Sequence, residues 1–167
     1  RVNSTMSKSN ITFLTVSQVR ENIGFGFEKY TRSGGKAIKF YCSQEVWLAN
    51  AGQIKRTVKG IDRPIGNDIK FKIKKNRIGP GYRQGEFGFL YSFGVDDLSS
   101  CLEWLKTVKR LEDIDLTEKE MKSAINRFRQ GKMDVEEYKE LLIKAVSAAV
   151  NVWDEIDAQT KIGFSKY

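Results

Sequence analysis

Ile11-Thr12-Phe13-Leu14-Thr15-Val16 is rich in β-branched and aromatic side chains and nearly continuous in apolar character. Such a run predicts a strand buried on both faces of a parallel sheet. It ends in polar chemistry, Ser17-Gln18-Val19-Arg20. Ligands of sheets with parallel strands bind beyond the carboxyl ends of those strands, so Gln18 stands where a ligand would meet a side chain. A solvated turn glutamine is the plainer alternative. From Glu21 to Ser33 there is neither a helical period nor a clean alternation, yet Phe25, Phe27 and Tyr30 stand among Arg20, Lys29 and Arg32. Rings with cations beside them suit a single nucleic-acid strand, whose bases stack and whose phosphates pair. A loop tucked into the core by its rings would have the same composition. Gly34-Gly35 then permits a sharp turn into Lys36-Ala37-Ile38-Lys39-Phe40-Tyr41 and leaves backbone amides free there. The apolar positions 37, 38, 40 and 41 are compatible with a short helix docked on one side.

Beyond this helix, Glu45-Val46-Trp47-Leu48-Ala49 opens a strand that Gln53 to Val58 continues after Asn50-Ala51-Gly52. Lys59 to Asn67, with Gly60, Asp62, Pro64 and Gly66, reads as dense turn chemistry. Ile69-Lys70-Phe71-Lys72-Ile73-Lys74 alternates strictly, which predicts a half-buried strand with one apolar and one cationic face. Lysines on such a face serve solvation and edge protection. Gly79-Pro80-Gly81 turns the chain, and Glu86 to Phe93 supplies another strand with Phe87, Phe89, Tyr91 and Phe93 on a packing face. From Asp96 the pattern becomes helical. Asp96 or Asp97 can cap a helix running to about Leu111, with Leu98, Cys101, Leu102 and Leu105 on one side. Thr117-x-x-Glu120 and Asp134-x-x-Glu137 are capping-box signals for two more helices separated near Gly131. The last carries a long apolar stripe from Tyr138 to Ile156.

A chain of 167 residues makes one domain, or a domain with a helical appendage, large enough for a core without disulfides. Cys42 and Cys101 have no metal-ligand spacing and histidine is absent, which argues against a zinc site and for reduced thiols. No apolar run is long enough to span a bilayer and the amino terminus has no signal-peptide pattern, so the expectation is a soluble cytoplasmic protein with no membrane partner. The net charge of +8 is uneven: residues 1–95 carry +11 and residues 96–167 carry −3. A field concentrated in one half favours a polyanionic partner and salt-sensitive association.

Ser9-Asn10, the apolar run, Gln18-Val19-Arg20, Ile23-Gly24 and the block from Gly34 to Tyr41 together resemble the RecA family of homologous recombinases. Lys75-Asn76-Arg77-Ile78 and Gln84-Gly85-Glu86-Phe87 extend the likeness, in the same order and at similar spacing. It covers roughly Ser7 to Val95, which in that family is the second half of an α/β ATPase core. The implied organisation is therefore 1–95 as part of a RecA-like core and 96–167 as a divergent helical region. The strands near 11, 45, 69 and 86 would be neighbours in one partial sheet of about four strands with a flanking helix.

The resemblance also implies roles. Gln18 would sense the γ-phosphate of ATP, and the loop holding Arg20, Phe25, Phe27, Lys29, Tyr30 and Arg32 would contact DNA, with Phe27 the ring singled out. Gly34 and Gly35 would anchor the return of that loop, which is shorter than in typical bacterial members. Phe40 would lie at a subunit contact. Lys75 and Arg77 fall on the family's pair of cations that reach the neighbouring subunit's ATP, the second an arginine where bacterial members commonly have lysine; the charge is kept and the donor geometry changes. ATP with Mg would be the cofactors, single- and double-stranded DNA the partners, and a helical homo-oligomeric filament the working form. No G-x-x-x-x-G-K-[ST] loop occurs in the chain. On the resemblance it thus reads as the carboxyl-terminal part of a longer protein, inactive as an ATPase alone, and the divergent tail suggests a phage or mobile-element version. A hexameric helicase of the same superfamily and a stand-alone nucleic-acid-binding module are the competing readings.

Overall fold

The computed structural model describes residues 8–9, 11–21, 30–32 and 35–160. The chain is mixed α/β. Strands β1 (Val19–Glu21) and β2 (Tyr30–Arg32) form a two-stranded sheet, followed by helix α1 (Gly35–Tyr41). A four-stranded antiparallel sheet comes next, built in sequence order from β3 (Gln44–Val58), β4 (Ile61–Asn76), β5 (Gln84–Leu90) and β6 (Gly94–Asp96). Helices α2 (Asp97–Thr107), α3 (Glu118–Arg129) and the long α4 (Val135–Gln159) complete the chain, with a 3-10 turn at Leu111–Ile114. Two compact units emerge, one of residues 1–47 with 73–83, the other of residues 48–72 with 84–167.

The turn between β3 and β4 is tighter than the density of turn residues predicts. Lys59 and Gly60 both have positive φ, 53° and 78°, as a two-residue hairpin turn requires. Asp62, Pro64 and Gly66 therefore lie within β4. The expected alternation survives: Ile69, Phe71 and Ile73 are half-buried while Lys70, Lys72 and Lys74 are exposed. β4 pairs with β5 from Gly66↔Leu90 to Lys72↔Gln84, and β5 with β6 from Gly88↔Asp96 to Leu90↔Gly94.

Two strand expectations need correction. Ile11 to Val16 has no strand partner among the described residues, and its side chains stand exposed, Val16 by 92%. The sheet's neighbours are thus the strands near 45, 69 and 86, joined by the short β6 in place of the run at 11. A strand is a property of a pair, and the sheet is antiparallel, so the apolar composition of Ile11–Val16 alone could not make it one. The second correction concerns Glu86 to Phe93. The strand stops at Leu90, Tyr91–Phe93 form a turn, and Phe89, Tyr91 and Phe93 are all exposed, so the stripe is not a continuous packing face.

The core of the larger unit lies under the helices. Leu98, Leu102 and Leu105 recur on one side of α2 and are fully buried, against Ala145 and Val152 of α4 and Met121 and Ile125 of α3. The caps follow the sequence signals. Asp96 caps α2 through the Ser99 amide at 3.0 Å, and Thr117 with Glu120 forms the complete capping box of α3. The Thr117 hydroxyl, with its backbone, holds the Glu120 carboxyl below its usual range. This support is present above the unfolded carboxyl range and lost as pH falls through the folded one. Asp134 caps α4 through the Glu136 amide, but Glu137 turns instead to Arg127, with Nη1 to Oε2 at 2.8 Å.

Gly66 sits where β4 passes closest to β5: a Cβ there would lie 2.3 Å from the Phe89 carbonyl oxygen and 3.0 Å from the Leu90 Cα. Gly81 meets nothing within 4 Å. Gly66→Ala is expected to lower the stability to urea by about 2 kcal/mol or more, since backbone cannot yield as a side chain does, while Gly81→Ala stays within about 0.5 kcal/mol of the parent. Equal denaturation midpoints for the two variants would contradict this packing.

Candidate nucleotide and nucleic-acid interface

In the smaller unit, two local arrangements position the described ones among the sequence-predicted site residues. The first is the β1–β2 hairpin. Its register, Val19↔Arg32, Arg20↔Thr31 and Glu21↔Tyr30, brings the two ends of the aromatic segment together. Arg20 is exposed on β1 and Gln18, also exposed, directly precedes that strand. Tyr30 and Arg32 belong to β2 by backbone. Phe25, Phe27, Lys29 and Gly34 lie outside the described residues, and Gly35 is the first residue of α1.

The second arrangement is the carboxyl end of α1. A helix leaves its last carbonyls without intrahelical donors and carries partial negative charge there. Here two cations from the end of β4 and the turn after it supply the donors. Lys75 Nζ donates to the Lys39 carbonyl at 2.6 Å and to the Phe40 carbonyl at 3.0 Å, and Arg77 Nη2 donates to the Phe40 carbonyl at 2.9 Å. The Cys42 amide closes the last turn on Ile38 at 3.0 Å, and the Arg77 amide donates to the Ser43 carbonyl at 3.0 Å. Lys75 is half-buried and Arg77 exposed. Phe40, 67% exposed, has the edge of one ring against the other at Tyr41, with centroids 5.3 Å apart.

Sequence reasoning missed the residue that braces this corner. Asn76 accepts from Gln44 Nε2 at 3.2 Å and from the Ile78 amide at 3.3 Å, and donates to the Pro80 carbonyl at 3.1 Å. The signal was there: an asparagine between two cations at a strand end, just before Gly79-Pro80-Gly81, is the place for a side chain that folds back on its own turn. Lys74, on the exposed face, lies 5.0 Å from the centroid of the Trp47 ring.

Gln18 directly precedes β1 and Arg20 lies within it, while Lys75, Arg77 and Phe40 meet at the end of α1. Among the described residues no group of three His, Cys, Asp or Glu side chains converges as a metal site would. No helix among them is long and apolar enough to cross a membrane.

Fold and site together define a mixed α/β protein whose basic half displays a two-stranded hairpin and a helix capped by two cations. The model of the RecA N-terminal domain matches residues 1–96. Protein RecA of Leptospira meyeri is 36% identical over 104 residues, 62% of this chain and 26% of that protein. Protein RecA of Chlamydia trachomatis serovar L2 is 33% identical over 114 residues, 68% and 31% respectively, and that of Colwellia psychrerythraea 34% over 104 residues, 62% and 29%. The chain belongs to the RecA family. Its match spans about a third or less of the length of these curated relatives.

If the cations hold the end of α1, removing them frays it. In Lys75→Ala with Arg77→Ala, hydrogen exchange at the Cys42 amide should speed up several-fold, while global stability falls by no more than about 1 kcal/mol, because the caps are partly solvated. Unchanged exchange at Cys42 would mean that the carbonyls do not depend on these side chains.

Proposed function

We propose that residues 1–95 form the DNA- and nucleotide-responsive part of a RecA-like recombinase and residues 96–167 a helical region appended to it. In the assembled protein, ATP with Mg would be held chiefly by a phosphate-binding loop that this chain does not contain. The filament would coat single-stranded DNA and exchange it with a homologous duplex, in the cytoplasm. The observation that carries this reading is the convergence of Lys75 and Arg77 on one helix end, with exposed Phe40 on the same turn.

The chemistry follows from acceptor strength. Carbonyls at a helix end carry partial charge; a phosphate carries full charge and makes stronger charge-assisted hydrogen bonds. Cations resting on the former are available to the latter when an adjoining subunit presents a triphosphate, where they would stabilise charge on the transferring phosphoryl group. Gln18 stands at the entry to β1, so a contact from its amide to the γ-phosphate would act directly on the hairpin that carries the aromatic segment. Arg20, Lys29 and Arg32 would pair with phosphates, Phe25, Phe27 and Tyr30 would offer rings to bases, and Gly34 and Gly35 would let the chain return into α1.

In the assembled recombinase, Lys75→Ala with Arg77→Ala should abolish DNA-dependent ATP turnover while largely sparing the fold as read by circular dichroism. Turnover equal to the parent's would remove both from the mechanism. Phe27→Ala should weaken binding of a fluorescent single-stranded oligonucleotide by about 1–3 kcal/mol if the ring stacks on a base. Equal affinity would assign that ring to packing.

A further inference from the structure

We infer that the larger unit carries a docking groove for an acidic peptide segment with one bulky apolar anchor, a surface separate from the hairpin and from the end of α1. Two contiguous depressions make it, sharing Arg56 and Arg129. The first, of about 540 Å³, has Met121 and Ile125 in its lining and is surrounded by Lys55, Lys106 and Lys122 along with the shared arginines. Lys106 is paired with Glu118 at 3.3 Å and Arg129 with Asp96 at 3.2 Å. Lys55, Arg56 and Lys122 have no ion-pair partner among the described residues, and Glu103 is the one carboxylate in this lining. Five cations against one carboxylate in the lining leave the recess predominantly positive, which favours an anionic ligand.

The second depression, of about 530 Å³, is lined by Ile65, Leu90, Phe93, Phe128, Met133 and Tyr138 among others. Its rings decide which polyanion fits. Phe128 and Tyr138 are stacked on one another, centroids 5.0 Å apart at 20°, and Phe93 meets them edge-on at 5.3 and 5.9 Å. Stacking takes up one face of Phe128 and one of Tyr138, which reduces the ring surface on which a nucleobase could lie. The aliphatic side chains around them suit a leucine or an aromatic side chain instead, inserted as a buried anchor. Phe93 is 52% exposed and Val135 62%, apolar surface that such an anchor would cover. An apolar recess contiguous with a predominantly cationic one thus matches a segment in which aspartates or glutamates flank a large apolar residue.

The test uses the 167-residue chain and three fluorescein-labelled peptides, in which a single Leu, Phe or Trp is flanked by aspartates, read by fluorescence anisotropy. At least one peptide should bind saturably and more weakly as salt rises. Lys55→Glu with Lys122→Glu, and separately Phe93→Ser, should each weaken it by about tenfold or more. All three positions are exposed, so the fold, followed by circular dichroism, should be kept. A labelled oligothymidine should be unaffected by Phe93→Ser. Absence of saturable binding for all three peptides overturns the proposal. So does equal binding of a peptide whose anchor is replaced by serine, which would reduce the groove to a charge patch. Loss of oligothymidine binding in Phe93→Ser would overturn it in favour of nucleic acid.

Discussion

The larger unit depends on one buried carboxylate. Asp96 has no exposed surface, yet it ends β6, caps α2 through the Ser99 amide and receives Arg129 Nε from α3 at 3.2 Å. Its carbonyl accepts from the Ser100 hydroxyl at 2.6 Å, which in turn accepts from the Gly88 amide of β5 at 3.1 Å. One residue therefore ties two strands to two helices. A buried charge is tolerated only when paired and hydrogen-bonded, and stripping its partner typically costs about 3–5 kcal/mol. Here the desolvation is offset by an amide and a guanidinium, and the guanidinium ties the end of α3 to the junction of β6 and α2. The core leucines of α2 then follow at their helical spacing, and the groove beside Arg129 exists because Arg129 is held.

The smaller unit solves a different problem with the same chemistry. A seven-residue helix has more unsatisfied terminal groups than internal bonds and cannot be stable on propensity alone. Lys75 and Arg77 answer the carboxyl end with three charge-assisted hydrogen bonds. Because the donors come from the strand end and turn some 35 residues further on, this end of the helix is capped only when β4 is in place.

What was legible in the sequence was what local chemistry determines. The lysine alternation from Ile69 to Lys74, the cap at Asp96, the Thr117 box and the helix break at Gly131 each depend on a few neighbouring residues, and each appears in the structure. The failures are all relational. Ile11–Val16 has strand composition but no partner among the described residues, Glu137 had a capping role open to it until Arg127 offered a full opposite charge, and Phe93 left its expected stripe for Phe128 and Tyr138. The caps made by Lys75 and Arg77 were illegible for the same reason, since nothing in a strand-end Lys-Asn-Arg names the helix whose carbonyls it will meet.

That distinction bears on the exposed run before the hairpin. Ile11, Phe13, Leu14 and Val16 present 59–92% of their surfaces to solvent, in a stretch whose composition suits burial on both faces. Each large apolar side chain left in water forgoes about 1.5–3 kcal/mol of burial, so a neighbouring strand that covered the run would be favoured by several such contributions at once. The same ordering would fix Gln18, at the polar end of the run, and through Val19–Glu21 the hairpin.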